Sequence, residues 1–424
     1  MKTAAIIAEY NPFHNGHKYH IEQTRQLTGA DYIIVIMSGS FVQRGEPALL
    51  DKGTRTRMAL LNGADLVIEL PTVFAVGSAG DFASGAVSLL DKLGVVNFLS
   101  FGSECGDVDW LQKAAQLLLN EPAEFSADLK YYLKQGWSYP KARAAALTKA
   151  LSVGGSDFSP ETLASPNNIL GVEYCMALLK RNSKTAPFTV KRCGAGYHDS
   201  SIPEFCAKQG HFASATAIRT ALMRSAKTAE PQSDSLFRAV PENTLPLWKE
   251  ILSEQLFLFP EDFTKELRYA LLMHQDRNLQ HFADIHRELA DKISCIGIRF
   301  TDWANLCELC KSKEITYTKI SRALCHILLD ITQEELTWAR QNDYASYARI
   351  LGFRRSAAPL LSAIGKNTEI PLISKLADAE RFLSGSKLHM LKSDIRASHV
   401  YESALSAKTG SFPLNEYTRQ ICIL

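Results

Sequence analysis

The chain has 424 residues with a net charge of +2, and 46% of its residues are hydrophobic and 22% charged. This globular composition predicts two or three domains, and no apolar run approaches the roughly 20 residues that a bilayer-spanning helix needs. The sequence begins directly with a predicted strand, and its nine dispersed cysteines do not suit a secreted disulfide framework. We therefore expect a cytoplasmic protein with reduced cysteines.

The first predicted element is a buried strand over Ala4–Ala8, followed by a turn at Asn11-Pro12. Gly16 then lets the backbone pass close to a ligand where the next helix, His17–Leu27, begins. Free N–H groups at that helix start, together with its partial positive charge, suit an anionic phosphate. The strand, turn and helix therefore predict a nucleotide phosphate site.

Two histidines flank the glycine of this motif. His14 and His17 would donate hydrogen bonds to oxygens that gain charge during phosphoryl or nucleotidyl transfer, without any covalent nucleophile. His14, His17 and His20 follow one another at intervals of three residues, which also fits a metal-binding face of a helix. Zinc, however, usually takes further ligands nearby. Capping or packing histidines are a second alternative, and both stay open at this point.

The first 225 residues alternate short apolar runs with helical patterns, as a mostly parallel sheet with crossover helices does. The first three strands lie about 30 residues apart, which is the repeat of a βαβ unit. The predicted strands are Ala4–Ala8, Tyr32–Met37, Leu66–Glu69, Asn97–Gly102 and Phe188–Lys191. The predicted helices are His17–Leu27, Thr54–Asn62, Ala79–Leu93, Val108–Leu119, Ala123–Gln135, Tyr139–Ser152, Ser165–Arg181 and Ser214–Ser225.

A glycine-rich loop over residues 37–47 follows the second strand, at the sheet edge where ligands bind in open α/β sheets. Its Arg44 would meet a carboxylate or phosphate as a bidentate donor. Lys52, Arg55 and Arg57 stand at the next helix start, where cations are locally unfavourable, so an anionic ligand is one interpretation. Ion pairing with nearby carboxylates is the other.

Further candidates follow the later strands and open the later helices. Gly102 ends a strand and would let adenine or ribose lie flat against the backbone, and Asn167 is one of two asparagines at a helix start. The loop over residues 191–199 precedes a second helix start that carries Ser214, Thr216 and Arg219, which suit the β- and γ-phosphates of a triphosphate. Taken one at a time, these residues also fit simple turns and helix caps.

A polar, proline-containing stretch over residues 225–235 predicts a boundary between a domain at 1–225 and a mainly α-helical domain at 236–424. Residues 369–373 and the last dozen would add a strand or pack back on the first domain. Cys307 and Cys310 form a lone C-x-x-C, which fits a helix-surface or core pair better than a metal site. The predicted helices of this half are Thr264–His274, Leu279–Lys292, Trp303–Cys310, Tyr317–Leu328, Gln333–Ala339 and Tyr344–Leu351.

Basic residues and aromatic rings are interleaved in the second half, a pattern that suits RNA backbone contact and base stacking. Core rings with a solvated charged face are the alternative. Residues 111–230 also carry a basic surplus, with 15 Lys and Arg against 9 Asp and Glu, which suits a polyanion. The candidate RNA contacts are Lys311, Lys313, Lys319, Arg322, Tyr344, Tyr347, Arg349, Phe353, Arg354 and Arg355.

The whole chain resembles the bacterial tRNA-Met cytidine acetate ligase family, within the HIGH-type nucleotidyltransferases. The narrow motifs are E-Y-N-P-F-H-N-G-H at residues 9–17 and S-G-S-F-V-Q-R-G-E-P at residues 38–47. G-A-D-L-V-I-E-L-P at 63–71, P-N-N-I-L at 166–170 and S-A-T-A-I-R at 214–219 support them. Many members of the wider superfamily have glycine where this chain has Glu9.

The resemblance implies a Rossmann-like, doubly wound parallel sheet followed by a mainly helical tRNA-binding domain. It also implies a ligase that activates acetate with ATP as acetyl-adenylate, with Mg²⁺, and then acetylates N4 of the wobble cytidine of elongator tRNA-Met. Acetate and tRNA are the implied partners, with no DNA and no membrane. An adenylyltransferase of a small phosphorylated metabolite is the alternative.

The residue roles implied by these motifs fall into two groups. The implied catalytic residues are His14, His17 and Arg219. From their positions alone, we expect Arg44 or Lys52 to orient acetate. The implied ATP contacts are Ile7, Ala8, Glu9, Tyr10, Asn11, Pro12, Phe13, His14, Asn15, Gly16, His17, His20, Gly102, Asn167, Arg192, Ser214 and Thr216.

Overall fold

The computed structural model describes residues 1–152, 160–192, 212–228 and 234–424. Most of the predicted loop over 191–199 and part of the predicted linker therefore lie outside the described residues. Within the described ranges, no helix is both long enough and apolar enough to cross a membrane.

A mixed sheet forms the centre of the molecule, in the order β10-β8-β5-β2-β1-β6-β7, with β9 paired to β8. Within this order β5, β2, β1, β6 and β7 run parallel to one another. β8 pairs with β5 in the antiparallel direction. β3 and β4 form a separate antiparallel hairpin. The strands are β1 (Thr3–Ala8), β2 (Tyr32–Ser38), β3 (Phe41–Val42), β4 (Glu46–Pro47), β5 (Leu66–Leu70), β6 (Phe98–Ser103), β7 (Ala186–Lys191), β8 (Ala348–Phe353), β9 (Leu372–Ile373) and β10 (Cys422–Ile423).

Helices cover both faces of this sheet, so alternate strand residues enter two different cores. In β1, Ala5 and Ile7 face one core, and Ala4 and Ile6 face the other. The helices of the first part of the chain are α1 (Asn15–Thr28), α2 (Lys52–Leu61), α3 (Thr72–Ala75), α4 (Ala79–Lys92), α5 (Val108–Asn120), α6 (Ala123–Lys134), α7 (Tyr139–Ser152), α8 (Pro160–Leu163), α9 (Pro166–Lys180) and α10 (Ala215–Thr228).

The later helices are α11 (Asp234–Ala239), α12 (Leu245–Ser253), α13 (Thr264–Met273), α14 (Arg287–Ile296), α15 (Trp303–Cys310), α16 (Tyr317–Leu329), α17 (Gln333–Gln341), α18 (Ala358–Asn367) and α19 (Gly385–Thr409). The predicted doubly wound α/β fold with a helical second half is confirmed. The five predicted strands and eight predicted helices of the first half all form, with ends shifted by a few residues.

Two predicted helices of the second half are wrong in part. Tyr344–Leu351 was predicted as a helix, but Ala348–Phe353 is strand β8, because a short apolar run fits a buried strand as well as a helix. The predicted helix Leu279–Lys292 is interrupted, and its second part becomes α14. Phe282 forms a β-bridge with Thr332, which takes this backbone out of helical geometry.

The second half of the chain completes the sheet of the first half. β8, β9 and β10 all come from beyond residue 236, and they extend the edge formed by β5. Strand pairing at 372–373 and 422–423 agrees with the expectation that these segments would add a strand or pack back on the first domain. Backbone hydrogen bonds between strands therefore join the part of the chain before the predicted boundary at 225–235 to the part after it.

Candidate active site

A cavity of about 220 Å³ lies where the carboxyl ends of β1, β6 and β7 meet. The strand order reverses at β1, with β2 and β5 on one side and β6 and β7 on the other. A reversal of this kind opens a crevice at the carboxyl edge, which is the usual ligand site of open α/β sheets. The sheet topology therefore places the cavity at the edge expected from the sequence.

Most of the predicted contacts line this one cavity. The predicted residues on its wall are Ile7, Ala8, Glu9, Tyr10, Asn11, His14, Gly16, His17, His20, Gly102, Asn167, Arg192, Ser214, Thr216 and Arg219. Three predicted contacts are not among the lining residues. Pro12 and Phe13 are buried behind the turn, and the Asn15 side chain donates to the Arg238 carbonyl at 2.8 Å.

The turn between β1 and α1 is fixed from several directions. Tyr10 adopts a φ of 48°, and the peptide bond between Asn11 and Pro12 is cis. The Asn11 side-chain oxygen accepts the N–H of Leu49 at 2.7 Å, and its carbonyl accepts a hydrogen bond from Arg219 at 2.6 Å. Arg219 thus joins the start of α10 to the end of β1 across the cavity.

The two motif histidines cap α1 reciprocally. Nδ1 of His14 accepts the N–H of Gly16 at 3.0 Å, and Nδ1 of His17 accepts the N–H of His14 at 3.3 Å. This is a capping box in which imidazoles replace the usual hydroxyl and carboxylate. The rings stack with centroids 3.8 Å apart.

The capping box determines where the protons of both rings reside. Because each Nδ1 accepts a backbone N–H, the proton of the neutral ring must be on Nε2. Nε2 of His14 and Nε2 of His17 have no hydrogen-bond partner among the described residues. The cap therefore provides two Nε2–H donors in the cavity wall for a ligand oxygen.

Burial and neighbouring cations keep these imidazoles neutral. Burial, followed by the charges of Arg192 and Arg219, lowers the pKa of His14 from 6.5 to about 3. Burial and the neighbouring His14 also lower the pKa of His17 well below its usual value. Both rings therefore act as neutral donors at neutral pH.

Gly16 is required by the position of the His14 ring rather than by its own backbone angles. A Cβ added at Gly16 would lie 2.8 Å from Cε1 of His14 and 3.0 Å from its Nδ1. Any side chain here would push the imidazole out of its capping position. Gly16 also shows that the prediction of free N–H groups at this helix start is wrong in part, because its own N–H is taken by His14.

His20 lies one turn further along α1, and hydroxyl groups of neighbouring residues fix the position of its ring. Its Nε2 is 3.1 Å from the Ser100 hydroxyl, which is in turn 2.7 Å from the Thr24 hydroxyl. Burial and the charge of Arg192 lower the pKa of His20 from 6.5 to about 4. His20 is thus also neutral in the folded protein at neutral pH.

This lowered pKa predicts a measurable dependence of stability on pH. The unfolded chain takes up a proton at His20 below pH 6.5, whereas the folded chain does so only near pH 4. The contribution of His20 is complete above pH 6.5 and is lost as pH falls toward 4, by about 1.4 kcal/mol per pH unit. Urea unfolding of the wild type and His20→Gln between pH 7 and 4.5 should show a shallower slope for the variant by about this amount. Identical slopes would contradict a neutral, buried His20.

Glu9 and Arg55 connect the end of β1, which lines the cavity, to the end of β2 and to the β3–β4 hairpin. Oε1 of Glu9 accepts the N–H of Gln43 at 2.9 Å, so the carboxylate fixes the β3–β4 hairpin against the end of β1. Arg55 is fully buried and donates to the carbonyls of Glu9 at 2.7 Å and Ser38 at 2.9 Å, and also to that of Gly39. The sequence did not reveal this contact between the ends of β1 and β2.

The basic cluster at the start of α2 does not face the cavity. Lys52 is 1% exposed and lies 2.7 Å from Glu69 and 2.8 Å from Glu416. Arg55 bonds backbone carbonyls, and Arg57 is exposed. The prediction that Lys52 orients acetate is therefore wrong, because carboxylates from β5 and the C-terminal segment already neutralise it. Arg44 does line the cavity.

On the opposite wall, α9 and the end of β6 position Gly102 and Asn167. A Cβ at Gly102 would contact Cγ of Arg192 at 3.4 Å, so this glycine lies directly beneath the arginine side chain. The Asn167 amide donates to Glu104 at 2.6 Å. Asn168 is fully buried, and its side-chain oxygen accepts the backbone N–H of Glu104 at 3.0 Å, so the second asparagine is structural.

The start of α10 closes the cavity from the other side. The Ser214 hydroxyl accepts the N–H of Ala217 at 3.0 Å, which makes it a helix N-cap. Arg219 donates to the Thr216 hydroxyl at 3.3 Å. The structure thus brings the two predicted helix starts, α1 and α10, to the same cavity.

The sequence prediction missed an apolar and aromatic wall. Phe101 directly precedes Gly102, and its ring centroid is 5.5 Å from that of Tyr174. Leu170 and Tyr174 lie three and seven residues after Asn167 on α9, so helical spacing from that asparagine would have found them. The other lining residues that were not assigned to the site are Ile6, Tyr19, Gln43, Phe82, Val190, Lys191, Phe212, Ala213 and Ala215.

Two of the predicted RNA contacts of the second half are wrong, because their side chains are buried. Tyr347 is fully buried, and Arg349 is buried in ion pairs with Glu69 and Glu416. Arg354 and Arg355 follow β8, which runs antiparallel to β5 and pairs Phe353 with Leu66. They therefore lie at the amino edge of the parallel strands, opposite the cavity.

Two further sequence interpretations concern metals and cysteines. Cys307 and Cys310 are both fully buried on α15, so they form a core pair as expected. Among the described residues, no group of three or more His, Cys, Asp or Glu side chains is arranged to hold a metal ion. Glu9 is the acidic residue among the described lining of the cavity.

Comparison with known proteins gives concordant results. A family model described as HIGH nucleotidyl transferase matches residues 1–413. A tRNA(Met) cytidine acetate ligase of Clostridium perfringens is 40% identical over 405 residues, which covers 95% of each chain. The protein of the same name from Acetivibrio thermocellus is 37% identical over 425 residues, which covers 100% of each chain.

Two solved structures share the whole fold. Thermotoga maritima TmcAL in its apo form aligns over 100% of both chains, with a TM-score of 0.88 and 32% identity. The same protein bound with alpha-thio ATP aligns over 100% of both chains, with a TM-score of 0.86 and 32% identity.

Proposed function

The chain belongs to the tRNA(Met) cytidine acetate ligase family of the HIGH nucleotidyl transferases, and from this we propose that it uses ATP to join acetate to tRNA(Met). Acetate is activated as acetyl-adenylate, and the acetyl group then passes to N4 of the wobble cytidine, C34, of elongator tRNA-Met. Within the site, one observation supports this proposal most directly. The cavity wall carries the two neutral histidines, His14 and His17, and it also carries Arg219. We place the protein in the cytoplasm, where its tRNA substrate is made.

In the first half-reaction, an acetate oxygen attacks the α-phosphorus of ATP, and the bond to the bridging oxygen breaks to release pyrophosphate. Negative charge moves onto phosphate oxygens as this happens. The Nε2–H groups of His14 and His17 would donate to the oxygens of the reacting phosphate, aided by the positive end of α1. Neutral donors suit this task, because they bind the growing charge without giving up a proton.

The leaving pyrophosphate would be held at the start of α10. Arg219 is fixed by Asn11 and Thr216, so its guanidinium is positioned in advance. Ser214 and Thr216 would add hydroxyl contacts, and Arg192 would contribute charge near all three histidines. We assign the opposite side, with Gly102, Asn167 and the ring of Tyr174, to the nucleoside.

Mg²⁺ is expected to arrive with the ATP phosphates, since it typically retains several waters and takes few protein ligands. The lining offers one carboxylate among its described residues, Glu9, whose Oε1 already accepts from Gln43. This donor set fits a metal bound chiefly by phosphate oxygens. When bound, the ion would offset charge on those oxygens.

In the second half-reaction, the N4 amine of cytidine attacks the acetyl carbonyl, AMP leaves, and the amine loses a proton. The aromatic amine is a poor nucleophile, so positioning of a splayed-out base supplies much of the rate. The alternative of a small-metabolite adenylyltransferase is not favoured, because the relatives that match the whole chain are cytidine acetate ligases.

The proposal is tested by exchange of labelled pyrophosphate into ATP and by mass analysis of tRNA(Met). We expect exchange to require acetate, and tRNA incubated with protein, ATP and acetate to gain one acetyl group on cytidine. Acetyl-CoA in place of ATP and acetate should give no product. Exchange driven by a phosphorylated metabolite, with none driven by acetate, would overturn the proposal.

A further inference from the structure

The hairpin formed by α6 and α7, inserted between β6 and β7, presents an exposed surface of basic and aromatic side chains. From Lys130 to Lys149 the sequence contains five basic residues and no acidic one. Tyr131 and Tyr139 are 59% and 57% exposed, so both rings present apolar surface to solvent. We call the following residues the hairpin patch: Lys130, Tyr131, Lys134, Trp137, Tyr139 and Lys141, with Lys313.

The basic members of the patch are available to a ligand. Lys130, Lys134 and Lys141 are exposed and make no ion pair among the described residues, whereas Arg143 and Lys149 are paired with Glu173 and Asp128. On α6, Lys130, Tyr131 and Lys134 fall within roughly 100° of the helix circumference, so they share one face.

The rings of the patch are ordered by their neighbours. Trp137 stacks on Tyr132 with centroids 4.9 Å apart, and Nζ of Lys141 lies 4.2 Å above the Trp137 ring. Exposed rings interleaved with lysines provide base stacking and phosphate contacts together. Lysines and exposed tyrosines would also suit an acidic protein partner, but the proposed reaction already requires an RNA substrate, which favours RNA as the occupant of the patch.

Lys313 joins this surface from a distant part of the sequence. A Cβ at Gly136, in the turn between α6 and α7, would lie 2.8 Å from Nζ of Lys313. The loop that carries Lys313 leads into α16, whose Ser321 donates to the Gly45 carbonyl of the β3–β4 hairpin at 2.6 Å. That hairpin carries Gln43 and Arg44 of the cavity wall.

The hairpin itself is anchored to the opposite wall of the cavity. Arg143 of α7 donates to Glu173 of α9 at 2.9 Å, and the next residue, Tyr174, lines the cavity. The two parts of the patch are thus attached to elements on two sides of the same cavity. We propose that the hairpin patch binds the phosphate backbone and unstacked bases of the substrate RNA beside the reacting cytidine. This inference rests on the proposed function and names the surface that its RNA substrate uses.

The test pairs two double variants with the same change of charge. Lys134→Glu with Lys141→Glu (the patch variant) alters the patch. Arg355→Glu with Lys366→Glu (the amino-edge variant) alters exposed residues of the segment that follows the amino-edge end of β8. Direct binding of tRNA(Met) is measured as a function of salt, and acetate-dependent pyrophosphate exchange is measured without tRNA. We expect the patch variant to bind about tenfold more weakly, with a salt slope smaller by about 2, and to retain exchange.

A third variant separates stacking from charge. Tyr131→Ala with Tyr139→Ala should weaken tRNA binding by about tenfold while leaving the salt slope unchanged. The inference is overturned if the patch variant binds tRNA like the amino-edge variant, or if binding and exchange fall together. Absence of acetate-dependent exchange in the wild type would instead refute the proposed function, because direct RNA binding does not depend on that reaction.

Discussion

His14→Asn and His17→Asn are each expected to slow acetate-dependent pyrophosphate exchange by about 10²–10³-fold with little loss of stability. Asparagine places an acceptor where Nδ1 of the imidazole lies, so the hydrogen bonds to the N–H groups of Gly16 and His14 can persist. Its shorter side chain has no atom at the Nε2 position. The variants therefore retain the cap and remove the donor.

The matched controls are His14→Gln and His17→Gln, whose terminal amide reaches the Nε2 position but not the Nδ1 position. These variants should retain more exchange activity than the asparagine variants and should be less stable, because the cap is lost at a cost of about 1 kcal/mol. Exchange rates and urea midpoints of all four variants check both effects. If asparagine preserves activity better than glutamine, the role of the Nε2–H donors is refuted.

The neutral state of the two rings has a further consequence for the rate. Since burial and nearby arginines lower the pKa of His14 to about 3, no histidine protonation should appear in the pH profile of exchange between pH 5 and 8. An essential imidazolium would instead reduce the rate as pH rises through its usual pKa near 6.5. The profile of the wild type therefore distinguishes hydrogen-bond donation from general acid catalysis.

The sequence predicted the strand, turn and helix of the first motif because those features are local. The apolar run of the strand, the Asn11-Pro12 turn and Gly16 lie within a few residues of one another. Hydrophobic periodicity and turn chemistry are therefore enough to predict these elements. The pairing of the 14–17 and 214–219 motifs came from the resemblance to the nucleotidyltransferases, and the position of both at the carboxyl-edge cavity agrees with it.

Features that depend on distant packing were missed. Lys52 looked like a ligand-binding cation because Glu416, its partner, is hundreds of residues away in the sequence. Strand β8 looked like a helix because a short apolar run that is buried on both faces lacks the alternating pattern of a half-exposed strand. The reciprocal cap of His14 and His17 is local, but only coordinates show which ring nitrogen faces the backbone.

Lys52→Met is expected to lower the free energy of unfolding by about 3–5 kcal/mol while leaving the KM for acetate unchanged. Lys52 is 1% exposed and lies between Glu69 and Glu416, whose side chains are 1% and 0% exposed. Methionine has a similar shape but leaves these buried carboxylates with less neutralising charge. Urea unfolding measures the loss of stability, and an increase in the KM for acetate would restore the role in acetate binding that the sequence suggested.

Two further measurements test whether the loss of stability in Lys52→Met comes from the lost charge. They are the pH dependence of that loss and the effect of a second substitution. Burial acts to raise the pKa of Glu416, but Lys52, Arg349 and Arg419 outweigh it and lower the pKa from 4.5 to about 2. In the wild type this stabilises the fold fully above pH 4.5 and is lost as pH falls toward 2. Without Lys52 the folded-state pKa of Glu416 rises from about 2, so the deficit of Lys52→Met should shrink as pH falls toward 2. Adding Glu69→Gln should recover part of the loss, because the cation and one carboxylate are then removed together, and a strictly additive double variant would contradict this coupling.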